Sequence, residues 1–147
     1  MDFKSMAFGE NERIPERYTG EGGDISPPLK WNGEPTGTKE LVLIVDDPDA
    51  PMEKPFVHWV LYKIPATLGG IPEGNNLNAA EGKNSRGKIG YMGPMPPEGH
   101  GTHRYHFKLY ALDKKLDIGK GAEKEDVLDA IEGHILDEAE VVGTYER

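Results

Sequence analysis

"RYHFKLYAL", Arg104 to Leu112, alternates without interruption: Tyr105, Phe107, Leu109 and Ala111 fall on one side of an extended chain, Arg104, His106 and Lys108 on the other. A period of two sustained over this length specifies a β-strand with one face in a core and the other near water. Upstream, "LVLIV" (Leu41 to Val45) is a short β-branched apolar run, as a strand covered on both faces requires. "VHWVLYKI" (Val57 to Ile64) is a third strand, ended by Pro65. Shorter strands are expected near Asp2–Ala7, Leu29–Trp31 and Val141–Tyr145. One helix is expected between about Glu123 and Ala139, where Val127, Ile131 and Ile135 recur at four-residue spacing behind an acidic first turn. The sum is a mainly β chain, a sandwich with one helix from the C-terminal half packed against it. At 147 residues, a single domain spanning 1–147 is expected, large enough to bury a core.

Composition narrows the partners. With 17 Lys and Arg against 26 Asp and Glu, the net charge is −9, and eleven of the acids but only five of the bases lie from Asp113 onward. Such a chain is repelled by nucleic-acid phosphates and anionic leaflets, so neither nucleic-acid binding nor stable membrane insertion is expected. The absence of cysteine excludes disulfides, thiolate metal sites and a Cys nucleophile. No apolar run has signal-peptide or membrane-spanning length, so a cytoplasmic location is expected.

Two features stand outside this scaffold. Between Pro65 and His103 lie 37 residues holding nine glycines with little periodicity, and long aperiodic loops in compact domains are often functional. In "VDDPDAP", Val45 to Pro51, Asp46, Asp47 and Asp49 stand among prolines directly behind the apolar run. An isolated Asp before proline is ordinarily an Asx-turn former. Here Pro48 and Pro51 stiffen the backbone and hold the carboxylates in place, which suits a site better than a surface turn.

His58 interrupts an apolar strand beside Trp59, a position usually filled by a hydrogen-bonded core histidine. Parity places His103 on the face of Tyr105 and Phe107, at the mouth where the Gly/Pro loop enters the sheet. Arg104 points the other way and reads as an ion-pair donor to a carboxylate. His100 and His106 read as solvated, and His134 as a packing or helix-end residue. Two histidines, one or two aspartates and a tyrosine converging on one pocket suit a phosphate-sized anion; metal binding is the competing reading of the same residue types. No H-x-x-x-H or H-x-H pair exists among Asp47, His58 and His103, so no metal site and no cofactor is expected. Neither a G-x-S-x-G elbow nor a phosphate-binding Gly-Lys loop is present.

The set "DPDAP" (Asp47–Pro51), "HWVLYKIP" (His58–Pro65), "GPMPPEGHGTHRYHF" (Gly93–Phe107) and the terminal "GTYER", with "IPERYTGEGGDISPPLKW" (Ile14–Trp31), closely resembles the phosphatidylethanolamine-binding protein family, in its shorter bacterial and archaeal, Raf-kinase-inhibitor-like branch. The resemblance implies a β-sandwich of two antiparallel sheets with a small anion pocket at one end, taking a phospholipid head group or another phosphorylated ligand without catalysis. It further implies that Asp47 and Pro51 form one wall, that His58 and His103 supply ring N–H donors and Tyr105 a phenol, and that the backbone at Gly93 and Pro94 completes the site. Asp49 and Arg104 would brace it, and a cis Ala50–Pro51 bond is suggested. Met95 stands where many relatives carry a smaller residue, which makes the rim bulkier. By the same resemblance a homodimer is expected, as is a kinase or protease target. Two competing functions remain: inhibition of such a target through an exposed loop, "GNNLNAAEGKNSRG" (Gly74–Gly87), and metal-assisted phosphohydrolysis by Asp47, His58 and His103.

Overall fold

The computed structural model describes residues 1–75, 77 and 79–147. In chain order its elements are β1 (Asp2–Ser5), β2 (Glu12–Arg13), a 3-10 turn (Glu16–Tyr18), β3 (Leu29–Asn32), β4 (Glu40–Asp47), β5 (Phe56–Pro65), β6 (Gly70–Ile71), β7 (Ala80–Glu81), β8 (His103–Leu112), α1 (Lys124–Ile131) and β9 (Ile135–Tyr145). They form a three-stranded sheet, β1-β3-β6, and a six-stranded sheet, β2-β9-β8-β4-β5-β7. The mainly β, two-sheet architecture with one packed α-helix is as expected. The expected all-antiparallel pairing needs one correction: β2 runs parallel to β9, setting Glu12 and Arg13 against Gly143 and Thr144. So short a pair arises from a loop laid along the sheet edge, where it needs no crossover.

The apolar faces pair as their periodicity demands. Leu41, Leu43 and Val45 of β4 join Trp59, Leu61, Tyr105, Phe107 and Leu109 in a core closed by Leu29, Trp31 and Ile71 of the smaller sheet. The alternate residues, Val42 and Ile44, pack with Val60 and Tyr62 against Val127 and Ile131 of α1. β4 is therefore buried on both faces, as its unbroken apolar run requires.

The helix is shorter than its spacing suggested. It ends at Ile131, Gly133 follows with φ of +81°, and Ile135, the third member of the apparent stripe, is 41% exposed. Residues 135–145 instead pair with β8 along its length, from His103↔Tyr145 to Leu112↔Ile135. Without β9, that edge of β8 would leave its backbone donors and acceptors unpaired, and satisfying them outweighs the helix preference of "LDEAE". Among the described residues no helix is long and apolar enough to cross a membrane.

Candidate functional site

Strand β4 delivers two adjacent carboxylates to opposite faces. Asp46, on the helix side, takes the Lys124 ammonium at 2.9 Å. Asp47, on the core side, is 2% exposed and splits its oxygens. Oδ1 accepts the Asp49 N–H at 2.8 Å, closing an Asx turn, and Oδ2 accepts from His103 Nδ1 at 2.6 Å. The turn-forming and site-forming readings of this aspartate are thus both realised, one by each oxygen. Asp49 receives the Arg104 guanidinium at 3.0 and 3.1 Å and the Arg104 backbone N–H at 2.9 Å, tying the "DPDAP" segment to the first residues of β8. The Arg104 hydrogen bond holds the Asp49 carboxyl below its ordinary range, against the opposing pull of partial burial.

His58 reaches the same space through an irregularity that strict alternation does not predict. Val45 pairs with Trp59, but the next residue, Asp46, pairs with Val57, leaving His58 as the extra residue of a β-bulge. A bulge re-aims side chains. It turns His58 to the core side, where its ring meets Tyr105 edge-on at 5.1 Å and Phe56 at 4.9 Å. His58 Nδ1 lies 2.6 Å from the Met92 carbonyl oxygen. A carbonyl only accepts, so Nδ1 carries the proton and the neutral ring presents Nε2 as an acceptor, not as the donor the resemblance implies. Burial pushes the His58 pKa below its ordinary 6.5, despite the Met92 carbonyl and the Asp47 charge, which favour the proton.

A cavity of about 270 Å³ opens here, lined by Asp47, Pro51, His58, Gly93, His103 and Tyr105, with Phe56, Met52, Met92, Met95, Pro96 and Pro97 as apolar wall and Arg86 at its edge. The predicted residues converge, apart from Pro94, which is buried behind the lining with its carbonyl accepting the Gly20 N–H at 2.9 Å. The Gly93 N–H is not free for a ligand either. It donates to Asp24 Oδ1 at 2.7 Å, and a Cβ on Gly93 would stand 2.4 Å from the Tyr18 carbonyl oxygen. Close approach to the segment 18–24, rather than ligand contact, is what demands glycine there. Burial foremost, then the charges of Asp47 and Asp49, push the Tyr105 phenol up, keeping it a protonated donor. Among the described residues, His58 Nε2 and Tyr105 Oη have no protein hydrogen-bond partner, and the Arg86 guanidinium has no ion-pair partner. The terminal motif supports this wall: Arg147 Nε donates to the Pro96 carbonyl at 2.6 Å, and Tyr145 Oη to Glu21 at 2.6 Å.

Three readings are revised. The described peptide bonds are all trans, Ala50–Pro51 included; there the Met52 N–H reaches back to the Ala50 carbonyl at 2.7 Å in a tight turn about Pro51. His106 is not simply solvated but faces Glu140 at 3.2 Å across β8 and β9. His100, exposed yet engaged, sets its Nδ1 2.6 Å from His103 Nε2. Both His103 nitrogens are thereby occupied, so His103 walls the cavity without offering it a donor. His134 caps the end of the helix, its N–H on the Ile131 carbonyl and its Nδ1 2.9 Å from Asp113. Arg86 and His100 were missed as site residues; the H-x-x-H spacing of His100 and His103 was the one available signal for either. No group of three or more His, Asp or Glu side chains poised for a metal occurs among the described residues. Within Gly74–Gly87, Asn76 and Asn78 lie outside the described residues.

A sequence profile of the phosphatidylethanolamine-binding proteins matches residues 4–146. The chain belongs to the phosphatidylethanolamine-binding protein family. A UPF0098 protein of Methanothermobacter thermautotrophicus is 50% identical over 100% of this chain and 99% of its own length. A crystal structure of a phosphatidylethanolamine-binding protein homologue from Chlamydia trachomatis superposes with a TM-score of 0.94 at 42% identity, covering 99% of this chain and 96% of that one. The E. coli member YbcL superposes with a TM-score of 0.93 at 30% identity, covering 99% and 98%.

Proposed function

We propose that the protein binds a small phosphorylated anion in the cavity beside His58 and Tyr105, without catalysis, and that occupancy regulates a partner protein. The observation behind this reading is that three polar groups lining one cavity lack protein partners among the described residues: the Tyr105 hydroxyl as donor, His58 Nε2 as acceptor, and the Arg86 guanidinium as a permanent positive charge. A monoprotonated phosphate matches that set, its oxygens taking the Tyr105 proton and its hydroxyl donating to His58 Nε2. Once His58 is protonated, Nε2 becomes a second donor and the dianion is accepted as well. The apolar walls of Met52, Phe56, Met92 and Met95 favour an organic substituent on the phosphate.

Calorimetric titration with inorganic phosphate from pH 8 down to pH 5 tests this, run beside sulfate, which carries no proton throughout that range. Phosphate affinity is expected to rise on acidification and to exceed sulfate affinity at neutral pH, while His58→Phe lowers it at least about tenfold, or about 1.4 kcal/mol. Affinity that stays flat across the range, or sulfate bound equally well at neutral pH, would discard the His58 role.

A further inference from the structure

We propose that His100 is a phosphoryl-accepting nucleophile, activated by the buried pair Asp47 and His103 behind it. Three side chains stand in series: Asp47 Oδ2 lies 2.6 Å from His103 Nδ1, and His103 Nε2 lies 2.6 Å from His100 Nδ1. An ionised carboxylate only accepts, so His103 carries its proton on Nδ1 and turns the bare Nε2 towards the His100 Nδ1–H. Nucleophile, base and a third group orienting the base, each within hydrogen-bond reach of the next, is the arrangement that activates side-chain nucleophiles generally. The His103 and Asp47 side chains are 2% and 4% exposed, so water does not compete for the basic nitrogen. His100 is exposed, between Gly99 and Gly101, which hold φ of +72° and +89° with open space where a side chain would be. Of the ring nitrogens of this exposed side chain, Nδ1 faces His103 and the outer Nε2 is left for an incoming group.

The step balances with a phosphoramidate as donor. The donor is protonated on its phosphoramidate nitrogen. His100 Nε2 attacks phosphorus, the N–P bond to the ring forms, and the donor's own P–N bond breaks with the neutral amine leaving on the electron pair and keeping that proton. The His100 Nδ1 proton passes to His103 Nε2. The product is a phosphoimidazole at His100 beside a His103 imidazolium, which donates one N–H to Asp47 and the other back to His100 Nδ1. Positive charge thus arises next to the phosphoryl group just delivered. The donor class includes phosphohistidine on another protein. The inference requires no anion in the neighbouring cavity.

His134 is an internal control. Its side chain is 38% exposed and paired with Asp113 at 2.9 Å, but that carboxylate is itself exposed and, among the described residues, no second imidazole stands behind it. The full chain would be treated with potassium phosphoramidate at neutral pH and phosphorylation of each histidine followed by site-resolved mass spectrometry under alkaline handling. His100 is expected to react at least about tenfold faster than His134, a floor for general-base assistance. His103→Gln is expected to bring His100 down to the His134 rate, with the His134 rate itself unchanged. A ratio below tenfold in the unsubstituted chain overturns the proposal, and so does a His100 rate indifferent to His103→Gln. The ratio within the unsubstituted chain decides even if that variant fails to fold.

Discussion

Asp46 and Asp47 leave β4 on opposite faces, and each is almost sealed from water, at 1% and 2% exposure. Asp46 meets two ammonium groups, Lys124 at 2.9 Å and Lys108 at 3.7 Å, which bind α1 and β8 to the centre of the sheet. Asp47 meets an imidazole at 2.6 Å, and that imidazole leads through a second one to the surface. A lysine ammonium only donates, whereas an imidazole has two ring nitrogens that can serve two partners at once. Residue type, burial and even strand are shared. What makes one carboxylate a clamp and the other part of a site is the group opposite: an ammonium ends the contact, whereas an imidazole has a second nitrogen that carries it on to His100.

The largest effect expected from breaking this contrast is on the clamp. Lys124→Ala leaves Asp46 buried with its hydrogen-bonding cation gone and only the half-exposed Lys108 ammonium, at 3.7 Å, still facing it. Removing one partner of a buried pair strands the other charge, so a loss of about 3 kcal/mol is expected, read as a lower urea midpoint at unchanged slope. Phosphate affinity of the folded variant should stay within twofold of the parent. If affinity falls in step with stability, the two faces of β4 are coupled and the division fails.

A smaller effect belongs to the site side. His58 is held neutral by burial, below its ordinary pKa of 6.5. Its contribution to stability is therefore complete above pH 6.5, where folded and unfolded chains both carry the neutral ring. It is lost as the pH falls from there through the lowered folded value, because the unfolded chain then binds the extra proton. Urea midpoints measured from pH 7 to pH 5 should decline, and the decline should be shallower in His58→Phe. Saturating phosphate should also flatten it, by binding the imidazolium form of the folded state. A phosphate-independent slope would separate His58 titration from ligand binding.

How much of this was legible in the sequence follows from the period of each segment. Strands β4, β5 and β8 could be read because their faces meet a core, and burial imposes alternation on the residues themselves. β9 could not, because "ILDEAE" is half-exposed and its conformation is set by the hydrogen bonds β8 lacks. The site divides in the same way. Asp47, His103 and Tyr105 followed from proline bracing and strand parity. His58 followed from its motif alone, since the bulge that turns it inward is a property of the pairing of β4 with β5. Gly93 lines the cavity, but its N–H, like the Pro94 carbonyl, serves the packing of the segment 18–24, a tertiary contact that no local pattern announces. Arg86 stands in "GKNSRG", whose composition says only that it is a loop; what brings it to the cavity is the neighbouring Asn84 side chain, which accepts the Arg86 and Lys88 backbone N–H groups and orders the turn.

Arg86 also gives the smallest and sharpest comparison, because it is a cation of the site that no carboxylate clamps. Its guanidinium is exposed, so replacing it strands no buried partner, and Arg86→Gln should leave the thermal midpoint unchanged. Its worth to a bound anion is a screened attraction at the cavity edge, so phosphate affinity should fall only two- to fivefold, or about 0.4–1 kcal/mol. Salt distinguishes this from loss of shape. Raising the ionic strength from about 0.01 M to 0.15 M shortens the Debye length from about 30 Å to 8 Å, which should weaken phosphate binding to the parent more than to Arg86→Gln. The two affinities should therefore converge as salt rises. Parallel salt curves would mean that Arg86 acts through the shape of the 84–88 turn and not through its charge, and would leave His58 and Tyr105 as the groups that recognise the anion.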